Sequence, residues 1–157
     1  MERCTRLIGL LEEESTVLKE IITVAEEEIK AFVNGDHARI LKAAARQEEL
    51  SGLLVNLEKK RQVLQQQLEE ELHLPKNCRL SDLPGALPVE FRGPLAELSQ
   101  RLQKYASVLL LFQARLYFLI ERALTVEETV ARLLSRARLK NDYAVAPREV
   151  GLVNQSV

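Results

Sequence analysis

The sequence predicts an all-α fold, an antiparallel bundle of three long helices packed in coiled-coil fashion, with the third helix longest. Three observations carry it. The 157 residues include 29 Leu but no Trp, four Phe and three Tyr, so the apolar supply is aliphatic and strongly helix-compatible. Apolar residues recur at alternating spacings of three and four over long stretches, the period of a helix face. The breakers are clustered: Pro75, Pro84, Pro88 and Pro94 fall in one segment and leave long uninterrupted spans on either side.

The first helix is expected over residues 2–33, with Leu7, Leu11, Leu18, Ile21, Ala25, Ile29 and Phe32 on one face. Asn34-Gly35-Asp36 ends it: Gly35 suits the left-handed conformation that closes a helix, and Asp36 suits the N-cap of the next. The second helix, residues 37–72, carries Ile40, Ala43, Gln47, Leu50, Leu54, Leu57, Arg61, Leu64 and Leu68 in unbroken three-four alternation. Two members of that seam are polar. Arg61 needs a carboxylate there, and counting back from the turn sets it opposite Gly9, within a turn of Glu12 or Glu13.

Residues 74–93 read as a long loop, with room for a short helical turn near Ser81. Pro94 is pre-set for the first position of the third helix, expected over residues 94–140. Its seam has no polar interruption: Leu95, Leu98, Leu102, Tyr105, Leu109, Phe112, Leu116, Leu119, Ala123, Val126, Val130, Leu133 and Ala137. The simplest reading is one continuous helix; Thr125 with Glu128 is a capping-box pattern that would restart it after a bend. Residues 141–157 have no period and read as a flexible tail, so residues 1–140 form a single domain.

At about 1.5 Å per residue the helices measure roughly 48, 54 and 70 Å. The third would cover the second with about residues 94–129 and leave Val130, Leu133 and Ala137, with Leu134 beside them, projecting. Around residues 108–124 the off-seam positions Val108, Leu110, Leu111, Tyr117, Phe118, Ile120 and Leu124 are apolar too. A stripe that wide is either the middle of the bundle or a face that accepts an amphipathic helix from another protein.

Twenty-two basic against 23 acidic residues give a net charge of -1, which offers no footprint for a phosphate backbone. The most apolar run, residues 105–120, is too short and contains Arg115, so membrane insertion is not expected and the chain reads as cytoplasmic. Cys4 and Cys78 read as free thiols. Glu70 and His73 have the spacing of a helical metal-site motif, but no second copy exists. There is no glycine-rich phosphate loop and no nucleophile placed beside a base, so no enzymatic activity and no cofactor are expected.

The first hairpin carries a family resemblance. The leucine-rich run from Leu7 to Leu18, then Glu26-Glu27-Glu28-Ile29-Lys30-Ala31-Phe32-Val33-Asn34-Gly35-Asp36, Gln47-Glu48-Glu49-Leu50 and Leu57-Glu58-Lys59-Lys60-Arg61, resembles the FlgN-type flagellar export chaperones in order and spacing. The resemblance implies a cytoplasmic chaperone of flagellar type III export. It would bind the C-terminal helical segments of hook-associated proteins of the hook-filament junction and prevent their premature assembly. It would place the partner-binding surface on the third helix, at Leu109, Phe112, Leu116, Leu119, Val126, Val130, Leu133, Leu134 and Ala137. Tyr143 would be the counterpart of a tail tyrosine that contacts the export gate. The rival reading is a homo-oligomeric scaffolding coiled coil, in its smallest form a homodimer through the third-helix seam.

Overall fold

The computed structural model describes the backbone of residues 1–154 and the side chains of residues 1–141. It contains three α-helices, α1 (Glu2–Val33), α2 (His37–Glu71) and α3 (Val89–Asn154), with a short 3-10 turn at Leu83–Ala86. No strand occurs among the described residues. The three helices pack together as the all-helical bundle that the spacing predicts. By contacts the chain divides into two compact units, Met1–Leu116 and Tyr117–Val157.

In the first unit, α1 and α2 form the expected antiparallel hairpin. Gly35 closes α1 with φ 67. The Asp36 amide donates to the Ala31 carbonyl and the Gly35 amide to that of Phe32, so two otherwise free carbonyls of α1 are satisfied. The Asp36 carboxylate then accepts from the Arg39 amide at 3.1 Å and caps α2. Arg3 and Glu71 pair across the other end of the hairpin.

The segment expected as a long loop sends two leucines into the core. Leu83 and Leu87 are fully buried with Cys4, Leu7, Leu11, Leu64, Leu68, Leu95 and Leu98, closing the base of the hairpin. Each such leucine contributes about 1.5–3 kcal/mol of hydrophobic burial. A helical turn does form in this segment, two residues beyond Ser81. Both thiols are free; Cys4 is buried in this cluster and Cys78 packs against it.

Two expected boundaries are corrected. α3 begins at Val89 rather than Pro94, because Pro88 halts the extended chain and the Phe91 amide donates to its carbonyl at 3.0 Å, starting the helix early. Pro94 therefore lies in the second turn. As the simplest reading has it, the helix is continuous through Thr125, whose hydroxyl donates back to the Glu121 carbonyl at 2.9 Å instead of capping a new start. Finally, α3 continues past Lys140 to Asn154, where the aperiodic sequence predicts a tail. Propagation adds one backbone bond per residue and needs no apolar face. Residues 155–157 and the side chains from 142 onward lie outside the described residues.

Candidate functional site

The hairpin seam is built of apolar clusters. Leu7 and Leu11 meet Leu64 and Leu68, while Ile21 meets Leu50 and Leu57 in a second cluster with Val17. Between these layers Arg61 Nε donates to both oxygens of Glu14, at 2.9 and 3.1 Å. Glu14, not Glu12 or Glu13, is the partner. Counting from the turn omits the rotation that brings the seam of α2 round to face α1, and the true register is shifted by about a turn. The signal was present: the spacing of seven between Leu11 and Leu18 leaves a seam position that Glu14 fills. Burial pushes the Glu14 carboxyl up, and Arg61 only partly offsets this. A pair of this kind specifies register more than it adds stability.

A second buried carboxylate, Glu28, lies two heptads along α1 from Glu14. Glu28 is buried, and its Oε2 has no hydrogen-bond partner. Burial holds its carboxyl above the usual range. In acid both folded and unfolded chains are protonated here; as pH rises through the ordinary carboxylate range, the charge must form in a buried site and stability falls. Glu28→Gln should therefore stabilise the fold by about 1 kcal/mol at neutral pH, with the gain fading in acid, as checked by urea unfolding at both pH values.

A polar network ties the connecting segment to α2. Arg61 Nη1 donates to Gln65 Oε1 at 3.3 Å, and Gln65 Nε2 donates to Glu69 Oε1 and to the Cys78 carbonyl. Glu69 also accepts from the Asn77 and Cys78 amides and from the Cys78 thiol. Burial would raise the Glu69 carboxyl, but the donors from Asn77, Cys78 and Gln65 together outweigh it and hold it low. This contribution is present above the ordinary carboxylate range and is lost as pH falls through the lowered value. Cys78 is pushed up by burial and by Glu69, which makes it a poor nucleophile. Glu69→Ala should speed exchange of the Asn77 and Cys78 amides at least about tenfold while core amides of α1 stay protected.

His73 stands past the end of α2 with φ 52. It no longer continues the helical spacing from Glu70. Among the described residues no group of three or more His, Cys, Asp or Glu could hold a metal ion. No helix among them is long and apolar enough to cross a membrane.

Of the residues expected to bind a partner, the first unit holds three. Leu109 packs against the Val17 cluster, and Phe112 lines a shallow groove with Ile29 and Val33. Leu116 is half-buried. These positions serve the hairpin, while Leu110 and Leu111 on the outer side of the same helix are exposed.

The second unit holds the other six. Leu119 and Ala123 are half-buried, whereas Val126, Val130, Leu133 and Leu134 are exposed at 60%, 48%, 59% and 63%, and Ala137 is exposed with them. No position from Leu124 to Asn141 in this unit is even half-buried. Tyr117, Phe118 and Leu124 add exposed apolar surface. The Arg122 guanidinium lies 5.8 Å from the centre of the Phe118 ring. Tyr143 falls among the side chains outside the described residues.

The second unit thus presents an exposed apolar seam, and the hairpin of the first unit carries buried polar side chains in its core. The family described as FlgN protein matches residues 1–144. The chain belongs to the FlgN family. No curated protein and no solved structure matches it at a significant level. The FlgN match extends well past the first hairpin, whose motifs carried the sequence resemblance, and takes in most of α3 with every expected partner-binding position. FlgN proteins are flagellar export chaperones.

Proposed function

We propose that this FlgN chaperone works in the cytoplasm and binds the C-terminal helical segments of hook-associated proteins of the hook-filament junction, keeping them from assembling before export. The observation that carries the reading is the run Val126, Val130, Leu133 and Ala137, at heptad spacing and exposed along α3. A free chain gains nothing from leaving such a seam in water, whereas an amphipathic helix laid against it buries both apolar faces. Leu119 and Leu134 widen the same face. Leu109, Phe112 and Leu116 support it from the hairpin side. Tyr143, in the segment that follows, is proposed as the contact to the export gate.

The test is a titration of the purified chain with the C-terminal segment of a hook-associated protein from the same organism. Binding at micromolar affinity or better, with formation of a one-to-one complex by light scattering, supports the reading. A tight dimer whose mass does not respond to any such segment would instead support the scaffolding coiled coil, since the heptad seam of α3 also suits a second copy.

A further inference from the structure

The two edges of the exposed seam on α3 are chemically different. With Leu119, Ala123, Val126, Val130, Leu133 and Ala137 as the seam, one edge is formed by Arg122, Thr129 and Arg136, and the other by Ile120, Glu127 and Leu134. Arg122, Arg136, Ile120 and Leu134 are all exposed. Beyond Thr129 the helix also presents Arg132, Arg138 and Lys140, so residues 129–141 contain four cations and no anion. This local excess stands out in a chain whose net charge is only -1.

We infer that this surface selects an amphipathic helix with a leucine-type seam and a row of carboxylates along the edge that meets Arg122 and Arg136. The inference rests on the proposed docking reading and deepens it by naming the partner's charge pattern. Edge residues decide partner choice and orientation in helix pairs. A second copy of this chain fits poorly. In an antiparallel pair like edges meet, so Arg122 and Arg136 would face arginines. In a parallel pair each edge meets the other edge five residues on: Arg122 would find Glu127, but Thr129 would meet Leu134 and Arg136 would meet Asn141. A carboxylate-edged helix satisfies both arginines and approaches through the field of Arg132, Arg138 and Lys140.

The experiment uses the full chain and two synthetic helical peptides with one shared leucine seam, one carrying glutamates at both edges and the other lysines, followed by fluorescence anisotropy. The glutamate peptide should bind at least about tenfold more tightly at low salt, with the gap narrowing as salt is raised. The double variant Arg122→Glu, Arg136→Glu, shown by far-ultraviolet circular dichroism to keep its helix content, should reverse the preference. Equal affinity for both peptides, an unaltered preference in the variant, or binding of neither peptide overturns the inference. A hook-associated segment that binds while the peptides show no preference overturns the charge rule alone. A clear glutamate preference with no binding of that segment overturns the partner assignment alone.

Discussion

Arg61→Leu should cost about 3 kcal/mol of folding stability, because it strands the Glu14 carboxylate, only 4% exposed, without its cation. Glu14→Leu alone should cost about as much, leaving a guanidinium with its Nε unpaired. The double variant Glu14→Leu, Arg61→Leu should recover most of that loss or exceed the parent, since the seam then continues as leucine from Leu7 through Leu18. Urea unfolding of the parent, the two single variants and the double variant measures the coupling directly. If the double variant were as unstable as either single one, the pair would be a net source of stability and not a register device. The raised carboxyl of Glu14 points to the device: even beside Arg61, the folded environment favours its charge less than water does. Removing the Glu28 carboxyl as well should leave a stable hairpin whose register is less well specified, because aliphatic layers pair almost equally well after a slip of one heptad.

Leu133→Asp should weaken binding of a hook-associated segment by tenfold or more while leaving the melting temperature within a degree or two. A side chain 59% exposed contributes little to the isolated fold, so an aspartate there disturbs almost nothing until a partner must cover it. At the centre of an apolar contact the same carboxylate would be desolvated without a partner, and a loss of that size is typical of a central interface position. Glu27→Lys, on the exposed acidic side of α1, should change affinity less than Leu133→Asp does. Leu116→Asp is the informative contrast. Leu116 is half-buried, so its replacement should lower stability and affinity together. Titration and thermal unfolding of the three variants separate the two effects. Equal losses of affinity in Leu133→Asp and Glu27→Lys would remove the surface from consideration.

Much of the architecture was legible in the spacing. The three-four alternation from Ile40 to Leu68 and from Leu95 to Ala137 marks faces that only helices can present, and Gly35 with Asp36 marks the turn through local backbone chemistry. The apolar stripe from Val126 to Ala137 was legible too, because it continues the seam of α3 without a polar break. The loop was harder. Leu83 and Leu87 stand among prolines with no period, so nothing in their spacing shows that they plug the base of the hairpin. Glu69 likewise reads as one of three consecutive glutamates on a solvated face. Its role appears only when Asn77 and Cys78 fold back to donate to it.

The local code of this chain therefore dictated where helices form, which face of each is apolar and where the first turn lies, since these follow from side-chain periodicity and capping within a few residues. Packing decided the rest. Which carboxylate meets Arg61 and which leucines of the connecting segment enter the core both depend on register and helix rotation. Those quantities are set by contacts between residues dozens of positions apart, and a one-dimensional period carries no record of them.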